Sequence, residues 1–348
     1  MDCQLQEQHR TPLVELLASA PMQSPLPTIS QQTAELLIQS YVIGRRNKWS
    51  VLKASGSSIR DYLQGQITHD MAKLKDNQGI YACVLTPQGK AVSELYMIEG
   101  HGEELILITP QNLAVDAVAR LRQFVLGADL RIGLVENMAV CSLQGANAAK
   151  GLSFFDLEEP GQSRLSFCQH ASKDISAMVI SGDPRGFWII ASKDDIETAL
   201  VNASSVTDES EFEAMRIIQG LPRFGVDWTA ETYPLNANLI EFDGVSFEKG
   251  CYVGQEITSR MHWRGGIKKK LYKVMVQSNS EELTSLPCPL RISNSADAAK
   301  IGELTSAAID HEGAIYGIAL LPVEITETSR PLFMTDNVQV DIVEPCHA

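Results

Sequence analysis

Long apolar runs are missing from this sequence. None approaches the roughly 18 residues that span a bilayer, and the opening MDCQLQEQHR has no charged-then-apolar leader pattern. Cysteine is scattered: the seven (Cys3, Cys83, Cys141, Cys168, Cys251, Cys288, Cys346) are odd in number and include no C-x-x-C pair. That spacing fits neither a disulfide framework nor a self-contained zinc or iron–sulfur site, so no metal site is read. Positive charge is in deficit, 29 Lys and Arg against 43 Asp and Glu for a net −14, which disfavours a surface that coats nucleic acid or anionic membrane along its whole length. Reduced thiols in a cytoplasmic chain without membrane contact are expected. What remains is ordinary globular composition, 44% apolar and 21% charged, in 348 residues that suggest two or three domains.

Residues 1–30 carry four prolines and little periodicity, and read as a loosely ordered arm. WSVLKA (Trp49 to Ala54) alternates as a strand, and Ser57 is placed to cap a helix running to about Gly65. YACVLT, the turn Pro87 to Lys90 and AVSELYMI form a hairpin pattern, followed by the strand ELILIT and a helix through Leu113, Ala117 and Leu121. Residues 131–204 repeat this flavour, and an acidic helix begins near Asp208 with Gly220 at its exit. From Leu271 short strands follow at close intervals, the pattern of a small β barrel. The class is α+β with split βαβ units rather than a doubly wound sheet. Four segments are expected: the arm 1–30, an α/β domain of 31–130 plus 205–265, a second α/β domain of 131–204, and a barrel of 266–348.

The most unusual stretch is Phe247 to Lys270, FEKGCYVGQEITSRMHWRGGIKKK. From Ile257 to Ser280 there is no acid, while Arg260, Arg264, Lys268, Lys269, Lys270 and Lys273 supply six positive charges. Such a local field attracts an anion: a polyglutamate tail, a phosphate or an RNA backbone. Gly250 and Gly254 bracket Cys251 and permit close backbone approaches. Basic neighbours favour the thiolate of Cys251, the nucleophilic and metal-ligating form, although a cysteine is as a rule a small buried hydrophobe. Trp188 and Trp228 read as core, and Trp263 either stacks a ring or covers the hinge into the barrel.

Lys249-Gly250-Cys251-Tyr252-Val253-Gly254-Gln255-Glu256 resembles the signature of the YgfZ-type folate-binding proteins, relatives of the T-protein of the glycine cleavage system. YLQGQITHD (Tyr62 to Asp70), LTPQGK (Leu85 to Lys90), GLPRFGVD (Gly220 to Asp227), PLNANL (Pro234 to Leu239) and GELTSA (Gly302 to Ala307) extend the resemblance in order from about residue 48 to 320. It implies a T-protein-like ring of two ferredoxin-like α/β domains and a C-terminal β barrel around a central channel that takes tetrahydrofolate. It also implies a role in assembly or repair of 4Fe–4S clusters, with assembly factors and 4Fe–4S client enzymes as partners and tRNA modification served only indirectly. Cys251 is then the functional thiol. The family's aromatic folate contacts fall on Trp49 and Phe212, and Gln66, Asn238 and Arg260 are further candidates for the ligand; Asp70, in the same motif as Gln66, is a channel candidate.

Two departures separate helper from enzyme. Where T-proteins carry an Asp-Asp pair, this chain has Ser93-Glu94, and where they have a pterin-contacting Glu in an R-x-E-x-G stretch, it has Ile218. An apolar side chain accepts no N–H bond. The leading expectation is therefore a folate-binding accessory protein. The alternatives are a folate-dependent aminomethyltransferase or demethylase using Glu94, and an RNA-binding module using residues 260–273.

Overall fold

The computed structural model describes residues 25–125, 129–278, 283, 285–295, 298–326, 331–334 and 338–348. Helix α1 (Gln31–Gln39) starts where the Ser30 hydroxyl accepts the Thr33 N–H at 3.2 Å, an N-cap. Then come β1 (Val42–Arg45), β2 (Trp49–Ser55), α2 (Ile59–Gln64), β3 (Ile80–Leu85), β4 (Ala91–Glu99), β5 (Leu105–Pro110), α3 (Ala114–Arg122) and β6 (Arg131–Leu134). The next group is β7 (Met138–Gln144), β8 (Phe167–Gln169), β9 (Ser176–Ile180), β10 (Gly186–Ser192) and α4 (Lys193–Asn202). After α5 (Glu209–Ile218) and α6 (Gln255–Arg260) the chain enters β11 (Lys269–Gln277), β12 (Cys288–Arg291), β13 (Lys300–Ile309), β14 (Ile315–Pro322), α7 (Val323–Thr326), β15 (Leu332–Phe333) and β16 (Gln339–Pro345).

These strands make two antiparallel five-stranded sheets, in the orders β3-β4-β5-β2-β6 and β1-β7-β10-β9-β8, and a closed barrel β11-β14-β13-β12-β15-β16. The hairpin, the strand ELILIT and the barrel stand as the alternation indicated. The helix expected from Ser57 instead spans Ile59–Gln64, with Ser58 at its N-cap position making no side-chain bond, while Ser57 reaches Asp129 at 3.5 Å. The sheets also do not follow the 31–130 and 131–204 division. Strand β1 pairs with β7 in the second sheet, and β6 returns to pair with β2 in the first, so the two sheets exchange their edge strands. Of the arm, residues 1–24 lie outside the described residues; Leu26 and Ile29 are buried, and Pro27 and Ile29 bond the backbone of Ile309 in β13. Among the described residues no helix is long and apolar enough to cross a membrane.

Period-two alternation decides what each sheet faces. On β2, Leu52 and Ala54 pack under α2 and α3, while Trp49 and Val51 turn to a shared central cluster. On β10, Phe187 and Ile189 pack with α4, while Trp188 and Ile190 join that same cluster. Each sheet is thus covered by its own helices outside and by the other sheet inside. Asn238 ties this body to the barrel. It is fully buried with φ +61°, its Nδ2 donates to the carbonyls of Leu271 (2.9 Å) and Cys346 (2.7 Å), and its Oδ1 accepts the Leu271 N–H at 2.8 Å. Asn238→Ala leaves the Leu271 N–H and the Cys346 carbonyl without the amide, while the Leu271 carbonyl keeps the Cys346 N–H, and it is expected to lower unfolding free energy by about 3 kcal/mol. Urea unfolding checks this, and a loss below about 0.5 kcal/mol would remove the tie from the account.

Candidate functional site

The central cluster does not close completely. A cavity of about 70 Å³ remains where β2, β4, β10 and α5 converge, walled by Trp49, Tyr96, Trp188 and Phe212 and fringed by Arg46, Arg164, Arg216 and Arg223. The ring centroids of Trp49 and Trp188 are 4.6 Å apart, and Tyr96 lies 5.6 Å from the first and 5.0 Å from the second, edge-on to both. Arg46 sits 5.3 Å from the Phe212 ring and 6.0 Å from that of Trp188. A second groove, lined by Asn47, Gln111, Glu136 and Lys193, reaches the other side of Trp49 and Arg46, so these two side chains partition two openings near the middle of the molecule.

The cavity is strongly polarised. On α5, Phe212, Arg216 and Gln219 recur at helical spacing and face the cavity. Glu213 receives Arg46 (3.1 Å), Arg216 (3.0 Å) and Arg223 (2.8 Å), and Asp227 receives Arg216 (2.7 Å) and the Arg223 N–H (2.8 Å). Burial pushes the Glu213 carboxyl up, but Arg216, Arg223 and Arg46 outweigh it and hold it at about 2. Arg164, on the opposite wall, donates to the Ser181 hydroxyl and the Phe242 carbonyl. Four guanidiniums therefore surround a cavity that has two carboxylates for neighbours, an arrangement suited to an anionic or acceptor-rich ligand. Three donors here have no partner: the indole N–H groups of Trp49 and Trp188, and Arg46 Nε, which is 3.8 Å from Glu209. The two tryptophans are 7% and 5% exposed, so solvent barely reaches these N–H groups, and each leaves a buried donor without a protein acceptor.

Behind the aromatic wall lies Glu94, fully buried and outside the cavity lining. It accepts the Tyr81 hydroxyl at 2.7 Å and the Phe224 N–H at 3.1 Å. Ser93 shares a hydrogen bond with Thr109 at 2.7 Å. Burial raises the Glu94 carboxyl from its ordinary 4.5 to about 7, against the pull of Tyr81, the Phe224 N–H, Arg223 and Arg216. Ile218 packs with the α1 side of α5 rather than lining the cavity.

The Lys249–Glu256 segment is a separate assembly. Lys249 Nζ donates to the carbonyls of Gln64 (2.6 Å), Ile67 (2.9 Å) and His69 (2.7 Å), closing the end of α2, and burial lowers its ammonium to about 8. The Val253 N–H adds a bond to Gly65. Gly254 has φ +83°, and a Cβ there would stand 2.5 Å from the Thr86 carbonyl oxygen, so only glycine docks on the β3–β4 turn. Gly250 faces open space, contrary to the close approach expected of it. Tyr252 is buried in the central cluster, Gln255 Oε1 accepts its N–H at 3.0 Å, and Glu256 pairs with Arg260. Cys251 is exposed, alone among the described cysteines.

Of the residues singled out from sequence, Trp49 and Phe212 meet in the cavity. Cys251 is not among its lining residues. Gln66 accepts Arg120 at 3.1 Å, Asp70 caps the turn at Ala72, Asn238 holds the barrel, and Arg260 lies on the surface. Trp188, expected as core, is both core and cavity wall. Arg46, Tyr96 and Arg164 carried no local signal in the sequence, whereas Arg223 stands in GLPRFGVD, a stretch that carried the resemblance without that residue being singled out. For Trp188 the signal existed: GFWIIAS is apolar on both strand faces, the mark of a strand covered twice.

Two antiparallel sheets joined to a closed barrel make a T-protein-like fold. The glycine cleavage system aminomethyltransferase T of Bartonella henselae superposes with a TM-score of 0.73 at 15% identity, over 91% of this chain and 88% of that one. Relatives named tRNA-modifying protein YgfZ match most of the chain. That of Pectobacterium atrosepticum is 29% identical over 269 residues (74% of this chain, 76% of the relative), and that of Hamiltonella defensa is 26% identical over 280 residues (79% and 81%). The one from Aliivibrio fischeri is 22% identical over 312 residues (89% and 93%). No protein-family model matches. These likenesses bear out the resemblance carried by Lys249–Glu256: over most of its length the chain is similar to YgfZ-type proteins.

The raised Glu94 carboxyl binds its proton more tightly in the folded than in the unfolded chain. Its contribution to stability is full below the unfolded value and is lost as pH rises through about 7. The shift corresponds to about 3 kcal/mol. Urea unfolding at acid and alkaline ends of that window is therefore expected to show Glu94→Gln gaining on wild type by up to this amount as pH rises. A difference that stays constant with pH would show that folding does not raise the Glu94 carboxyl.

Proposed function

We propose that the cavity binds a folate, tetrahydrofolate or a derivative, and that the protein is a cytoplasmic accessory factor in assembly or repair of 4Fe–4S clusters, through which tRNA modification is supported. The observation that carries the reading is the box of Trp49, Trp188, Tyr96 and Phe212 edged by an excess of guanidinium. A pteridine is flat and rich in ring nitrogens and carbonyl oxygen, so it suits aromatic walls whose indole N–H groups lack acceptors. The carboxylates of a folate tail suit Arg46, Arg164, Arg216 and Arg223. When bound, the folate would supply a carrier for one-carbon units; this chain's own residues bind and orient it.

Binding is favoured over aminomethyl transfer because no carboxylate lines the cavity. Glu94 is sealed behind Tyr81 and Tyr96, and Ser93 is committed to Thr109. Cys251 is the thiol available to a cluster or to a client enzyme, since the other described cysteines are buried or half-buried. The names of the relatives agree with a destination in tRNA modification.

Calorimetric titration of tetrahydrofolate is expected to give saturable binding to wild type and binding about tenfold or more weaker to Trp49→Ala. No saturable heat with wild type would reject the cavity as a folate site. Cys251→Ala is expected to keep the fold and the folate affinity yet to fail to restore 4Fe–4S enzyme activity in a deletion strain. Full restoration would reject the thiol's role and leave the folate reading standing.

A further inference from the structure

The surface where α6 runs toward the barrel has no part in the cavity. Beyond Arg260 the helix widens into a single π turn, Met261–Gly265, a local departure that is often built into functional surfaces. His262 stacks on Phe247 at 3.8 Å and 11°, and Trp263 packs edge-on to both, with centroids 4.5 and 6.4 Å away. Two rings thus hold Trp263 from beneath while it remains 70% exposed; the other three tryptophans are at most 7% exposed. An indole held in place with a bare face is a ready stacking platform.

Half of the six positive charges in this stretch are paired. Lys270 is paired with Glu241, Lys273 with Glu344 and Arg260 with Glu256. Arg264, Lys268 and Lys269 are exposed and have no acidic partner among the described residues. In a chain of net charge −14, three unneutralised cations within six residues of one exposed ring are a local exception to the surface as a whole. Arg260, Trp263 and Arg264 also edge an open groove with Gln255, Ser259 and Glu256, whose carboxylate is taken up by Arg260. Gln255 holds the Tyr252 N–H, so the groove begins at the segment that carries Cys251.

An acidic peptide would engage the cations and leave the indole face unused. An anionic bilayer favours several apolar side chains inserted together, and here Trp263 stands by itself. A bare aromatic face flanked by free cations matches a strand that has both stacking bases and phosphates. We propose that this face binds single-stranded RNA, one base stacked on Trp263 and the backbone phosphates lying on Arg264, Lys268 and Lys269. The proposal is independent of what the cavity binds.

Fluorescence anisotropy of a labelled single-stranded RNA of about 12 nucleotides, titrated with the full chain near 50 mM salt, tests it. Saturable binding is expected, weakened about tenfold or more by Trp263→Ala and largely retained by Trp263→Phe. Replacing Lys268 and Lys269 together by Ala is expected to reduce the slope of log affinity against log salt by about 1.4. Tetrahydrofolate titrations of these variants should match wild type, since none of the three residues lines the cavity. Absence of saturable RNA binding, or Trp263→Ala binding as wild type does, overturns the proposal. So does an oligoglutamate peptide that binds as tightly as the RNA, which would mark a site for anions alone.

Discussion

Glu213 is a carboxylate taken almost wholly out of water and surrounded by Arg46, Arg216 and Arg223. Such a group is tolerable only while every partner is in place, because a missing guanidinium leaves a bare buried charge at a cost of several kcal/mol. The partners come from different parts of the chain. Arg46 follows β1, and its NH1 also bonds the Ser142 hydroxyl of β7. Arg216 belongs to α5, and Arg223 follows the G-L-P turn. Through Asp227, which accepts Thr305 at 3.3 Å and bonds Ser306, the network continues into β13 of the barrel. One set of ion pairs therefore fixes the second sheet, α5 and the barrel relative to one another. The same set leaves the cavity with more guanidinium than carboxylate, so the interaction that assembles the fold also sets the sign of the site.

The signature segment does a different job from the one its chemistry first suggests. Lys249 spends its three donors on backbone carbonyls at the end of α2, and Gly254 lets the backbone lie against the β3–β4 turn. Three stretches far apart in sequence, 62–70, 85–90 and 249–256, become one packed unit. The outcome is an exposed cysteine between two anchors, since Lys249 and Tyr252 are held while Gly250 and Cys251 between them are exposed. Cys251 is not among the residues lining the aromatic cavity, while its neighbour Tyr252 belongs to the central cluster together with Trp49.

What the sequence made legible follows a physical rule: local periodicity is written in neighbouring residues, and long-range pairing is not. Alternation identified the hairpin β3–β4, β5 and the barrel strands, and the acidic start and glycine exit identified α5. The exchange of β1 and β6 between sheets was not legible, because each is four residues long and its partner is chosen by the fold. Arg46 and Arg164 were missed for the same reason, as nothing beside them in sequence announces a cavity. Gln66 and Asn238 show the converse. A polar residue in a motif is as apt to satisfy buried backbone or a buried guanidinium as to meet a ligand, and sequence does not tell which.

The two departures from the transferase pattern have structural counterparts. Where a pterin-contacting carboxylate is replaced by Ile218, the side chain packs with the α1 side of α5, among Ile29, Leu37 and Met215. Where one member of an acid pair is replaced by Ser93, the hydroxyl bonds Thr109 inside the sheet, and the surviving acid, Glu94, braces the Phe224 backbone next to Arg223. Both positions have become part of the packing that shapes the cavity. An acid held near neutrality by burial could in principle transfer a proton, but only to a group within hydrogen-bond reach, and Tyr81 and the Phe224 N–H occupy that space. Four guanidiniums and no carboxylate line the aromatic-walled cavity, and the proposed accessory role rests on that balance.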